Sequence, residues 1–334
     1  MFNSVPSTAN VSDPGNDARA AELVREAGEK LVFAESNGGR GSGFICKLDG
    51  KYVLMSNQHV IGGNPNVRFT TLSQTALKPG GARAAVGHDL IAYDSPGAFA
   101  AFEVETNVLQ NVSVGDSIVV LGNMEGASVI KPLHGKVVAV GPNLVEISAE
   151  FMPGNSGSPI VHLDSGKVIG VATYAIIRKV DSLTQSGPGS VRRFGYRIDS
   201  VKNWQPIDWS IYQTEAAAIS RVSEFSASII RLLGDIRRGR VNGANHSDSR
   251  LKPAINELEP LYRSGLNAND RKRSVQGFLR MLRNAVQRDV EELRARLRYD
   301  YFQREIAEES KFREEIYKGL GEAIGSIERQ AATR

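Results

Sequence analysis

The feature that most constrains this chain is a change of hydrophobic period part-way along it. From residue 31 to about 199 the apolar residues come in short runs separated by turn residues, with Val, Ile and Phe dominant. Examples are "LVFAES", "GSGFICKLDGKYVLMS", "NVRFTTL", "DSIVVLGN", "GKVVAVGPNLVEISAEF" and "SPIVHLDSGKVIGVATYA". Helical i, i+3, i+4 spacing is nearly absent from these runs, so they predict strands. "LDGK" and "LDSGK" are hairpin signals between them. From Asp208 onward the pattern inverts. "IYQTEAAAISRVSEFSASIIRLLGDIRRGRV", then a Gly/Asn/Ser break at 242–250, then "RKRSVQGFLRMLRNAVQRDVEELRARLRYDYFQREIAEESKFREEIYKGLGEAIGSIERQ" carry helical spacing. One chain cannot serve both periods in one layer. The reading is therefore an all-β domain over 31–207 and an α-helical domain over 208–334, divided near "NWQPIDWS" where Pro206 interrupts the chain.

Ahead of them, residues 1–30 read as a Ser/Asn/Pro/Gly-rich leader followed by one short helix, "NDARAAELVREAG". The start has no basic stretch followed by an apolar one, so it is not a signal peptide. Its composition suits a tail left after a signal has been removed, which implies a periplasmic or secreted protein. It suits equally a native tail on a cytoplasmic one. No apolar run is long enough to span a bilayer. Hydrophobic content of 41% supports a buried core, and a net charge of +4 is too mild to indicate nucleic acid. The single cysteine, Cys46, excludes an internal disulfide and reads as a buried structural thiol.

Chemistry concentrates in three places of the all-β half. "MPGNSGSPIV", residues 152–161, sets Ser156 in a glycine-flanked turn before an apolar run. A serine hydroxyl is a poor nucleophile unless a positioned base takes its proton. Of five histidines, His59 stands where the run "KYVLMS" meets "NQHVI", at a strand end. Such a base needs a carboxylate to fix its tautomer. Asp89, in "VGHDLIAYD", precedes an apolar run and is preferred over Asp94 for that place. His88 reads as a surface neighbour. His134, His162 and His246 form no metal-ligand spacing, so no metal is expected.

The chain order His59, Asp89, Ser156 and these contexts resemble the trypsin-like (chymotrypsin-fold) serine proteases. "SNQHVI" resembles their histidine motif, "HDLIAY" their aspartate motif and "PGNSGSPIV" their nucleophile motif. Over residues 31–200 "GSGFI", "VGDSIVVLGNMEG", "GKVIGVATYA" and "FGYRIDS" resemble flanking parts, the second being similar to the Deg/HtrA-like and glutamyl-endopeptidase branches. The resemblance implies a double barrel of two six-stranded antiparallel sheets and a serine endopeptidase acting through an acyl-enzyme. It also implies protein or peptide substrates and no metal or organic cofactor. Gly154, Asn155 and Ser156 would form the oxyanion loop, with the Gly154 and Ser156 amides as donors.

Asn155 departs from trypsin, where an aspartate in that place pairs with a freshly cut N-terminus. Activation by such an ion pair is therefore not expected here. Glu150 aligns with the pocket base of trypsin, where a carboxylate would select Lys or Arg. The loop is more similar to the Deg type, in which Phe151 and Met152 shape the pocket and Glu150 points outward. Thr173 and Tyr174 are expected on the pocket wall. The glutamate-cleaving branch carries a histidine after its "VIG" strand. This chain has "VATY", which argues against that specificity.

No PDZ-like segment follows residue 208. Residues 271–298 hold nine basic residues (Arg271, Lys272, Arg273, Arg280, Arg283, Arg288, Arg294, Arg296, Arg298) against Asp289, Glu291 and Glu292. Arginines spaced through an amphipathic helix are more often a solvated face than a nucleic-acid site. Self-association, coiled-coil or otherwise, or packing back onto the β half is the expected role of this half. Two other readings stand beside the enzyme. One is an inactive protease-fold scaffold whose helical domain binds partners; the other is a nucleic-acid module acting through the basic helix.

Overall fold

The computed structural model describes residues 14–36, 39–95, 97, 100–123, 130–177, 191–238, 248–258, 260 and 267–332. The N-terminal leader, residues 124–129 and 178–190, and most of the break after residue 238 lie outside them. The chain divides into two compact units, Met1–Ser210 and Ile211–Arg334.

The first unit opens with α1 (Pro14–Ala27), whose first residue is a proline, a position where the missing amide hydrogen leaves nothing unsatisfied. Strands β1 (Leu31–Ser36), β2 (Gly39–Leu48), β3 (Lys51–Ser56), β4 (Arg68–Thr71), β5 (Ala76–Leu77), β6 (Ala82–Ala85) and β7 (Ile91–Asp94) follow, with the one-turn helix α2 (Gln58–Ile61) after β3. Between β2 and β3, Asp49 and Gly50 both take positive φ, 49° and 74°, and Leu48 pairs Lys51. That is the two-residue hairpin turn the "LDGK" signal predicts.

A second set comprises β8 (Ser117–Asn123), β9 (Ile130–Val140), β10 (Leu144–Ile147), β11 (Pro159–His162), β12 (Val168–Ile177) and β13 (Val191–Tyr196), preceded by α3 (Val108–Asn111). These close into a barrel, β10-β13-β12-β11-β8-β9. One of the two six-stranded barrels expected from the resemblance is therefore present. The other set differs. With β14 (Trp204–Pro206) it makes an eight-stranded sheet, β14-β6-β7-β3-β2-β1-β4-β5, which is not closed. Its edges account for this: β5 has two residues, too few to ladder onward, and β14 ends at Pro206, which lacks an amide donor.

Successive residues of the central strands feed different cores. Along β2, Phe44 and Cys46 enter a cluster shared with Val119, Leu121, Val161 and Val171 of the barrel strands, while Ile45 packs with Val32, Leu54, Phe69 and Ile91. Along β8, Val119 and Leu121 join the shared cluster, whereas Ile118 and Val120 fill the barrel with Val145, Ile147, Phe151 and Ile160. Both faces being buried, these strands read as continuous apolar runs instead of alternating ones. Each fully buried side chain of this size contributes roughly 1.5–3 kcal/mol. The shared cluster holds the open sheet against the barrel, and the loops carrying the three chemical motifs meet at that seam.

The second unit takes α4 (Trp209–Arg237) from Ile211 onward, with α5 (Lys252–Leu258), α6 (Ala268–Arg294) and α7 (Asp300–Ala332). Phe225, Ile229, Leu232 and Ile236 recur at three- and four-residue steps on α4 and pack with Ile255, Phe278, Leu282, Ile316 and Leu320. Asn267 caps α6 by accepting the Asp270 amide at 2.9 Å. Within the basic stretch, Arg273 pairs with Asp270 and Arg288 with Glu292, each on the helix surface. No helix among the described residues is long and apolar enough to cross a membrane.

Candidate active site

The chain leaves β3 at Ser56 and turns into α2, which presents His59 at the strand end. Two amide side chains beside it fasten this turn to the loop of Asp89. Asn57 Nδ2 donates to Asp89 O at 2.7 Å, and Gln58 Nε2 donates to His88 O at 2.9 Å. Asp89 itself is buried, 8% exposed, and both its carboxylate oxygens are engaged. Oδ1 accepts the His59 amide at 3.1 Å; Oδ2 lies 2.5 Å from His59 Nδ1 and accepts Thr173 Oγ1 at 3.0 Å. A carboxylate only accepts, so Nδ1 carries the proton, and in the neutral ring Nε2 is left as the basic nitrogen.

Ser156 stands at the end of the loop between β10 and β11. Its hydroxyl donates to Thr173 O at 3.3 Å, and its carbonyl accepts the Ser42 amide at 2.8 Å. Gly41 brings β2 between this residue and α2. A Cβ there would lie 2.6 Å from Val60 Cγ1 and 3.2 Å from Ser156 O, so only glycine allows the approach. The structure thus gathers His59, Asp89 and Ser156 around Thr173 and β2, although 97 residues separate the first from the last.

The loop before Ser156 is braced from within. Asn155, 1% exposed, accepts the Met152 amide on Oδ1 at 3.0 Å and donates its own amide to Met152 O at 3.0 Å. Of the three residues expected in the oxyanion loop, Asn155 has therefore committed its N–H, and the Gly154 and Ser156 amides make no hydrogen bond among the described residues. Gly154 holds φ at 98°, and its carbonyl accepts Ser42 Oγ at 2.9 Å.

The residues expected at a pocket separate. Glu150 is exposed and Met152 is 52% exposed, whereas Phe151 is buried in the barrel core. Thr173 directs its hydroxyl to Asp89, and Tyr174 stacks on Phe194 with centroids 5.3 Å apart. His88 is not the surface residue that its polarity suggests. It is 3% exposed, with Nδ1 3.0 Å from Val86 O and Nε2 2.7 Å from Ser200 Oγ. Asn57, Gln58 and Ser42 had no functional reading in the sequence. The available signal is position alone, Asn57 and Gln58 beside His59 in "SNQHVI" and Ser42 within "GSGFI". Among the described residues no cluster of three or more His, Cys, Asp or Glu could hold a metal ion.

Residues 41–171 match a family model described as the trypsin-like peptidase domain. A comparison with curated proteins found no match. Among solved structures, the HtrA-type protease AlgW with tripeptide is similar at 22% identity and a TM-score of 0.42, over 55% of this chain and 60% of that one. The serine endoprotease from Yersinia pestis is similar at 20% identity and a TM-score of 0.39, over 58% and 63%. An inactive form of Rv3671c from M. tuberculosis H37Rv is similar at 19% identity and a TM-score of 0.40, over 59% and 91%. The chain thus matches only about 60% of the length of AlgW and of the Yersinia protein.

Proposed function

We propose, from the trypsin-like peptidase domain within its N-terminal unit, that this protein is a serine endopeptidase. Ser156 is the nucleophile, His59 the general base and Asp89 the group that orients it. One observation carries the reading: Thr173 receives the Ser156 hydroxyl on its carbonyl and gives its own hydroxyl to Asp89, which in turn holds His59 Nδ1.

In the reaction, rotation about the serine Cα–Cβ bond brings Oγ from Thr173 O to His59 Nε2, a move between staggered rotamers. The imidazole takes the hydroxyl proton as Oγ attacks the peptide carbonyl. Asp89 stabilises the imidazolium, and the Gly154 and Ser156 amides receive the oxyanion. His59 then protonates the leaving amine, and water resolves the acyl-enzyme by the same steps. Loss of one oxyanion donor typically costs about 2.7–4 kcal/mol of transition-state stabilisation. Asn155, engaged within its own loop, leaves no carboxylate for a new N-terminus, so activity does not await a cut of that kind.

The bond from Ser156 Oγ to Thr173 O also favours a second reading, an inactive scaffold with the nucleophile turned aside. A fluorophosphonate probe separates the two. Labelling of the wild type and not of Ser156→Ala supports the enzyme; no labelling of correctly folded wild type supports the scaffold. For the helical unit we propose self-association, which sedimentation of the full chain over a range of concentrations tests.

A further inference from the structure

We propose that Arg193 selects the substrate of this site, favouring peptides with glutamate or aspartate at the residue whose carbonyl is attacked. The inference rests on the peptidase reading above.

β13 carries Arg192 and Arg193 in succession, and the alternation of a strand sends them to opposite faces. Their neighbours identify the faces. Arg192 binds Glu146 through two nitrogens, at 2.8 and 2.6 Å, and lies over the Phe194 ring at 5.0 Å. Gly195 is on the other face, which looks into the barrel: a Cβ there would lie 2.3 Å from Ile160 Cδ1. Arg193 shares that inner face. It is partly buried, and its Nε donates to Phe151 O at 3.4 Å, on the loop that leads to Ser156. Across the β12–β13 ladder it stands opposite Ala175, two residues past the Thr173 carbonyl that receives the Ser156 hydroxyl. The side chain therefore reaches the loop that leads to Ser156, while its backbone runs beside the strand that carries Thr173.

A guanidinium on an inner barrel face is unfavourable unless an anion meets it. The two other arginines of this region have one. Arg192 has Glu146, and Arg197 has Asp199 at 2.6 Å. Among the described residues no carboxylate pairs with Arg193, and its single acceptor is neutral and distant. A substrate carboxylate is the group that fits, because it is planar and accepts two N–H bonds from the guanidinium fork. A Lys or Arg side chain would meet like charge in a partly desolvated place, and an apolar one would leave the cation unanswered.

The test uses the full-length protein, labelled by the fluorophosphonate probe to establish that the nucleophile reacts. Its cleavage sites are then profiled on a library of peptides covering all residues at the attacked position. Glutamate or aspartate should exceed the isosteric Gln or Asn by at least about tenfold in kcat/KM, and raised salt should shrink that ratio. Arg193→Gln should lower kcat/KM for Glu and Asp by at least about tenfold more than for Gln and Asn and so remove the preference, and Arg193→Lys should keep part of it. Arg193→Glu should turn selection toward Lys and Arg. An arginine that merely braced the Phe151 loop would, when replaced, slow all substrates alike. That outcome overturns the inference, as does a labelled enzyme that cleaves after neutral or basic residues equally well, or cleaves nothing. Absence of labelling overturns the peptidase reading itself, and this inference with it.

Discussion

Each unit buries a carboxylate, and the two are used differently. Asp89 in the β unit accepts from the His59 amide, the His59 ring and the Thr173 hydroxyl, residues 30 and 84 positions away along the chain. Glu215 in the helical unit, 6% exposed, accepts from the Arg298 and Tyr299 amides at 2.7 and 3.1 Å, just ahead of α7. The second is architecture: a side chain of α4 satisfies backbone donors that a helix start leaves open. In the proposed mechanism the first serves chemistry, because one of its donors is a ring that can take and release a proton. Burial of an acid does not by itself mark a site; the kind of donor around it does.

Replacements at the two acids should therefore fail in different ways. Asp89→Asn keeps the shape and loses the correct tautomer of His59. kcat should fall by about 10^4-fold, with the melting temperature close to that of the wild type. A kcat within tenfold of the wild type would detach Asp89 from the mechanism. Thr173→Val removes one of the hydrogen bonds to the same carboxylate, a loss of roughly 1.5–3 kcal/mol for a charged acceptor. kcat should drop by about tenfold or more with little change in KM, and Thr173→Ser should restore most of it. A KM effect alone would return Thr173 to a pocket-wall role. Glu215→Ala leaves the Arg298 and Tyr299 amides without their acceptor and should destabilise the helical unit by about 1–3 kcal/mol. Thermal unfolding should show that loss while the kcat of the folded enzyme stays unchanged; a kcat effect would erase the distinction drawn here.

The smallest effect concerns Cys46, which is fully buried in the shared core. Burial pushes its thiol well above the ordinary range, with Glu103 adding to the shift, so little thiolate forms at neutral pH. A thiol reagent at pH 8 should leave the folded protein unmodified and react once denaturant is added. Rapid modification of the folded chain would mean that the cluster joining sheet and barrel opens readily.

Sequence alone carried the change of period, since an amphipathic face has to match the repeat of its own backbone, 2 or 3.6 residues. It carried the Asp49-Gly50 hairpin, because few residues tolerate positive φ. It also placed His59, Asp89 and Ser156 in local contexts similar to those of a known family. Whether the first sheet closes was not legible, because closure depends on edge strands as short as Ala76–Leu77, which periodicity does not register. Nor was the burial of His88, whose ring is satisfied by Ser200, 112 residues on.

The same limit governs specificity. Read along the chain, "VATY" argues against an acidic preference and Arg193 is one cation in a basic run. Only the barrel, by setting β13 beside β12 and the loop of Phe151, gives that cation an inner face and no carboxylate partner among the described residues. Local pattern fixes which residues can take part, because backbone period and turn preference act over a few positions. Which charges end up facing each other is decided by pairing between distant strands.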